Sequence, residues 1–260
     1  MHPLPLDQVP LWLVFPLILG LSLAFMEAGY RLGRWRHDRV IGEKEAPVAA
    51  MSAAVLGLLA FMLAFTFSMA ANRFDARRLA LADEVNAIGT AYLRARLLPE
   101  PQKAIVKKQL VQYTKLRTER LTPENIQGLL DQSNAIHLEL WDQAIAAAEH
   151  DQRSVVMGLF VESINEVIDL HSKRLFVGLY NRIPLTIWAS LWFLIVLGMA
   201  SFGYQAGIAG TTRSLEMPVF ALAFAGVLYL IFDLDRSHEG LLQVSQQAMV
   251  ELHSSIQSQQ

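Results

Sequence analysis

Cysteine is absent from this 260-residue chain. That excludes disulfides, thiolate nucleophiles and Cys-based zinc or iron–sulfur centres. Charge is scarce as well: 18% of residues are Asp, Glu, Lys or Arg, where a soluble domain carries about a quarter. With a net charge of −2 and a pI of about 6.4, no nucleic-acid partner is expected. Catalytic signatures are missing too. There is no Walker loop, GxGxxG, GxSxG, HExxH or EF-hand loop, and no paired catalytic carboxylates stand out, so the chain does not read as an enzyme. Nor is there strand-like alternation, a hairpin turn or an internal repeat, which leaves an all-α fold.

What the chain has in quantity is apolar sequence, 53% of residues with a mean hydropathy of +0.31, gathered into blocks. Four spans emerge: residues 10–32, 48–71, 183–204 and 215–234. The first lacks a positive n-region, since residues 1–8 hold no Lys or Arg, and no small-x-small cleavage site follows it. It is therefore expected to stay as an anchor. The fourth has the shortest apolar centre, between Glu216 and Asp233.

The second span is the most informative. Residues 48–71 carry no charge and, at about 1.5 Å per residue, suffice to cross a hydrocarbon core of about 30 Å. Ala53, Gly57, Ala60, Ala64, Ser68 and Ala71 recur in steps of three and four. Such a stripe lets another helix, or a copy of this one, approach closely where lipid gives no hydrophobic drive to associate. Beside it Phe61, Phe65 and Met69 form a bulky ridge. No Gly or Pro stops the helix as it passes Arg73, Arg77 and Arg78, so a rigid rod leaving the membrane is expected.

Between spans two and three lies a polar, helix-rich segment. LPEPQ (98–102) breaks the rod, because Pro99 and Pro101 disfavour helix at the preceding residues. A helix is expected over 102–117. Another starts at Thr122 as N-cap with Pro123 at its first position and runs to about His150, and a third extends from Ser154 to Asn181. The domain plan is 1–72 for membrane helices 1 and 2, 73–182 for a soluble helical domain, 183–236 for helices 3 and 4, and 237–260 for a tail. Basic residues near the span ends number six on one side (Arg31, Arg34, Arg36, Arg39, Lys44, Arg213) and seven on the other (Arg73, Arg77, Arg78, Lys173, Arg174, Arg182, Arg236). Charge bias therefore sets no orientation.

Each candidate site has a plainer reading beside it. Phe61, Phe65 and Met69 form either a hydrophobic constriction that gates by dewetting or an ordinary packing and lipid-facing ridge. Glu27 is either a functional intramembrane acid or half of an interfacial ion pair with Arg31, one turn on. Asp233 and Asp235 either help to hold a hard cation such as Ca²⁺ or end the span as a polar stop. Glu162, Glu166, Asp169 and Lys173 share a helix face that reads as solvated, and His137, Glu139 and His171 have no zinc-site spacing.

Read with its flanks, FTFSMAANRFDARRLALADEVNAIGTAYLRARLLP (65–99), the second span resembles the membrane family called bestrophin-like. Supporting motifs are RIP at 182–184 and DLDRSHEGLLQVS at 233–245. Asn72, Arg73, Phe74, Arg77, Asn86, Gly89 and Tyr92 carry the resemblance. Ser237 or His238, and Ala248, stand where that family is expected to have prolines.

The family is more remotely similar to the bestrophins proper, pentameric anion channels with four spans and a cytosolic helical domain between spans two and three. The kinship implies that Arg73 and Phe74 match a pair following the pore neck, which puts Phe65 and Phe61 at neck positions. Gly57 falls where a bestrophin has a larger apolar residue, so a third ring is missing or is replaced by Met69. Asp235 matches an acidic position that helps to bind Ca²⁺, although its neighbours do not reproduce that site.

The expectation is thus an all-α polytopic protein of a bacterial inner membrane, with termini and central domain in the cytosol. Its partners are the lipid bilayer and its own copies, five by analogy, with helix 2 lining an anion path. The alternative is a non-conducting scaffold or sensor in which the rod couples the bilayer to the helical domain.

Overall fold

The computed structural model describes residues 9–39, 45–119, 122, 124–149, 153–210, 215–236 and 240–259. Among these residues the fold is helical throughout, with no strand. The helices are α1 (Leu11–Arg39), α2 (Glu45–Ala95), α3 (Gln102–Thr118), α4 (Ile126–Ala148), α5 (Val155–Leu175), α6 (Leu185–Ile208), α7 (Glu216–Asp235) and α8 (Gln247–Gln257). A single π-helical turn, Phe176–Tyr180, prolongs α5. Four of the helical stretches are long and apolar enough to cross a membrane, the ones that contain spans one to four.

Two compact units result: residues through Arg73 with Arg182–Leu242, and Phe74–Asn181 with the residues from Gln243 onward. The unbroken α2 contributes its first part to one and its second part to the other.

In the first unit the closest packing joins α1 to α6 through glycines. A Cβ at Gly29 would stand 2.0 Å from the Ala200 carbonyl oxygen, and one at Gly203 would stand 1.9 Å from that of Met26. Gly33 and Gly207 repeat the contact one turn further along both helices. Two G-xxx-G pairs therefore let backbone meet backbone, which replaces the hydrophobic drive that lipid does not supply. α7 is held by aromatics: Phe232 stacks on Trp188 at 4.1 Å, and Tyr229 meets Phe15 edge-on at 5.9 Å. The start of α2 is fixed by Ser52, whose hydroxyl donates to the Ser201 carbonyl at 3.1 Å.

The second unit has a conventional buried core, with Ile88, Tyr92, Leu110, Tyr113, Ile136, Leu140, Phe160, Ile164, Val167 and Met249 at its centre. Ser154 caps α5 by accepting from the Met157 amide, at the expected start. α4 begins later than expected, at Ile126 after Asn125. The entry is nonetheless capped at Thr122: Thr122 and Asn125 bond reciprocally, each side chain accepting from the other's amide in a capping-box pattern, and the Ile126 amide donates to the Thr122 carbonyl at 3.0 Å. Pro123, His150, Lys44, Arg213, Ser237 and His238 lie outside the described residues. The segment expected as a tail contains α8, which packs in this unit: the Tyr92 hydroxyl donates to the Ile256 carbonyl at 3.0 Å, and Lys107 Nζ donates to that of Gln259 at 2.8 Å.

Candidate functional site

Within the apolar half of α2, Ser52, Leu59, Leu63, Thr66 and Ala70 are buried against the first unit, in steps of seven, four, three and four. Phe61 lies nine residues before Ala70, two and a half turns away, and so on the opposite side of the helix. It is 66% exposed, and Phe65 is 51% exposed. Each i, i+4 step drifts about 40°, so Met69 has turned toward the packed side and is half-buried.

Ala53, Gly57, Ala60, Ala64 and Ser68 are exposed with the two phenylalanines. A Cβ on Gly57 would meet no atom within 4 Å. Among the described residues the glycines that meet another helix's backbone are those of α1 with α6, whose spacing is written in G29-xxx-G33 and G203-xxx-G207, while Gly198 on α6 faces Leu59 and Leu56 of α2.

The motif residues beyond the membrane stretch divide by position. Asn72 and Asn86 are exposed and Arg73 is half-buried. Arg77 is buried, with its guanidinium 6.0 Å from the Phe74 ring centre. Gly89 and Tyr92 face α8: a Cβ on Gly89 would lie 3.6 Å from Leu252, and Tyr92 makes the bond to Ile256 already described.

A second constellation escaped the sequence reading. Glu84 on α2, Tyr113 and Arg117 on α3, His137 on α4, and His171 and Arg174 on α5 meet inside the second unit. Glu84 is fully buried. Arg117 Nε donates to its Oε1 at 2.9 Å and Arg117 Nη2 to its Oε2 at 3.3 Å, while Arg174 Nη1 also donates to Oε2. Arg174 Nη2 reaches Gln246 Oε1 at 2.8 Å, which ties the segment before α8 into the same network. Tyr113 donates to Glu84 at 2.7 Å and lies 3.0 Å from His171 Nδ1. Its one proton goes to the carboxylate, so His171 Nδ1 carries a proton and donates to Tyr113.

Burial opposes the Glu84 charge, yet Arg117 and Arg174 outweigh it and hold the carboxyl below its usual range. Burial, then Glu84, raises Tyr113 well above the usual phenol value. Burial, reinforced by Arg117, depresses His137 to about 4 and His171 to about 3. The rings of the two histidines pack edge to face at 4.8 Å, and neither Nε2 has a hydrogen-bond partner among the described residues.

Spacing along each helix announces the burial of single members, though not their meeting. Glu84 lies on the same face as Leu81 and Ile88, at i−3 and i+4, and Tyr113 with Arg117 continues the core line of Val106 and Leu110. Glu162, Glu166 and Asp169 are exposed, as expected, but Lys173 pairs with Asp83 at 3.0 Å. Among the described residues no group of three or more His, Cys, Asp or Glu side chains could hold a metal ion.

In the first unit Glu27 and Arg31 form an ion pair at 2.8 Å. Asp233 and Asp235 are both buried. Asp233 accepts from the amides of Leu241 at 2.9 Å and Leu242 at 3.1 Å. Asp235 accepts from the Ile183 amide at 3.1 Å and from Arg182 Nε at 3.2 Å.

Against known proteins, a Bestrophin-like domain model matches residues 18–249. No curated protein matches the sequence. The fold is similar to the crystal structure of a bacterial bestrophin homolog from Klebsiella pneumoniae, with a TM-score of 0.64, 16% identity, and coverage of 95% of this chain and 97% of that one. It is also similar to a single-site mutant of that homolog, with a TM-score of 0.66, 16% identity, and coverage of 93% and 97%. With the family model spanning nearly the whole sequence and four helices apolar enough to cross a bilayer, this chain is a multi-pass membrane protein of the bestrophin-like family.

Proposed function

We propose that the protein is a homo-oligomeric ion channel of a bacterial inner membrane, in which α2 of each subunit lines the path and Phe61 and Phe65 form its constriction. In this reading the second unit is a soluble domain inserted between spans two and three, and it lies with both termini in the cytosol. The observation that carries the proposal is the division of α2 into two faces. One face is buried against its own chain, and the opposite face presents two large exposed phenylalanines flanked by small residues that are exposed as well, with open space at Gly57. A small-residue flank suits close approach by a neighbouring copy, and an apolar ring suits control of ion passage by dewetting. Anions are the substrate favoured by the kinship with bestrophins proper.

A second reading is favoured by one feature, the unbroken course of α2 over 51 residues. Such a rod suits a non-conducting scaffold or sensor that transmits bilayer changes to the helical unit. Oligomeric state separates the two. Mass determination of the detergent-solubilised protein should give a ring-sized assembly, about five copies by analogy. A monomer or dimer would end the channel reading, since one helix per subunit could not then enclose a path.

A further inference from the structure

Asp235 is the residue to which kinship would assign a bound Ca²⁺, with Asp233 two residues before it, and the surroundings of the pair do not fit one. Ca²⁺ takes about six to eight oxygen ligands. Here each carboxylate oxygen faces a donor instead: the amides of Leu241 and Leu242 at Asp233, and the Ile183 amide and Arg182 Nε at Asp235. Those donors point the positive ends of their bonds into the space a cation would occupy. Arg182 adds a full positive charge 3.2 Å from Asp235 Oδ2, so a cation bound to that oxygen would have a like charge beside it, and like charges repel more strongly away from bulk water. Gly240 closes the other side. Its φ of +116° suits glycine alone, and a Cβ there would stand 1.7 Å from Asp233 Oδ1.

We infer that this acidic pair is a metal-independent clasp in which Arg182 takes the place of a divalent cation. Asp235 joins the start of α6 to the end of α7 through Arg182 and the Ile183 amide, and Asp233 shapes the turn at Gly240–Leu242. The guanidinium is covalently part of the chain, so the clasp is closed whatever the Ca²⁺ concentration. For the channel proposed above, and resting on that proposal, Ca²⁺ would not set the open state through this segment.

The test needs no conduction. Thermal unfolding of the full-length protein in detergent is followed in EGTA and in millimolar CaCl2. The wild-type midpoint should agree within about 1 °C between the two, since only a ligand bound to the folded state shifts it. Arg182→Gln and Asp235→Asn should each lower the midpoint by about 5 °C or more in both buffers, because each leaves a buried charge or its partner unmatched. A saturable rise of the wild-type midpoint with Ca²⁺ overturns the inference, as does an Arg182→Gln protein that melts with the wild type. If neither variant folds, the wild-type titration decides alone. A protein that passes no ions in vesicles leaves this result untouched, so the clasp and the channel fail separately.

Discussion

Tyr113 gives its single hydroxyl proton to Glu84, 2.7 Å away, at a point where α2 and α3 cross inside the second unit. The bond completes a set of donors around one fully buried carboxylate whose charge is matched by Arg117 and Arg174. Breaking such a group costs more than the group itself contributes, because a lone charge is left in a dry site.

Glu84→Gln should therefore destabilise the second unit by about 3–5 kcal/mol, since it strands two guanidinium groups. Tyr113→Phe should cost less, about 1–2 kcal/mol for one buried hydrogen bond. Thermal melts read both. Limited proteolysis should cut earlier near α8 in the Glu84 variant, because Arg174 also holds Gln246. Equal melts for Glu84→Gln and wild type would show that the network does not hold the unit together.

Acid should loosen the same unit. His137 and His171 have folded values near 4 and 3, below the ordinary 6.5. Between those values the unfolded chain binds protons that the folded chain refuses, so stability rises with pH there. Their contribution is complete above about pH 6.5 and drains away as pH falls toward 4, by at most about 1.4 kcal/mol per pH unit for each histidine. Glu84, also depressed, keeps its contribution to lower pH. Melting midpoints taken from pH 7.5 down to 5 should fall for the wild type and flatten in a His137→Phe, His171→Phe variant. Parallel slopes would contradict the assignment.

Two glycines should behave in opposite ways. Gly203→Ala drives a methyl into the Met26 carbonyl, 1.9 Å from its oxygen, and should destabilise by about 2 kcal/mol or more. Gly57→Ala meets open space and should leave the subunit's stability within about 0.5 kcal/mol. Gly57→Leu should fold equally well but weaken association between copies, read as a mass shift on dilution in detergent. An unaltered assembly would remove the small-residue flank from the subunit interface.

The membrane helices were legible because an 18-residue apolar window has one physical meaning, and the family was legible from the run through Asn72, Arg73 and Phe74. The α5 start was legible from Ser154, a favoured N-cap whose hydroxyl oxygen accepts from an amide of the first turn. The Glu84 network was not, because its six members sit on four helices and spacing along one helix cannot announce a meeting across several. α8 was missed for a related reason: Met249 and Ile256 are a sparse apolar face that becomes a helix interface only once α2 and α3 offer a surface. Asp233 and Asp235 left a cation site and a polar stop both open, because two acids at i and i+2 say nothing of the amides and guanidinium that meet them.

The central claim rests on the exposed pair Phe61 and Phe65, and ion flux tests it most directly. Purified protein reconstituted in lipid vesicles should pass small ions, anions first, and Phe61→Ala with Phe65→Ala should raise the flux at equal protein density. Vesicles that remain tight to several anions and cations, with the wild type and with the double variant alike, would contradict the channel and leave the rod-like scaffold.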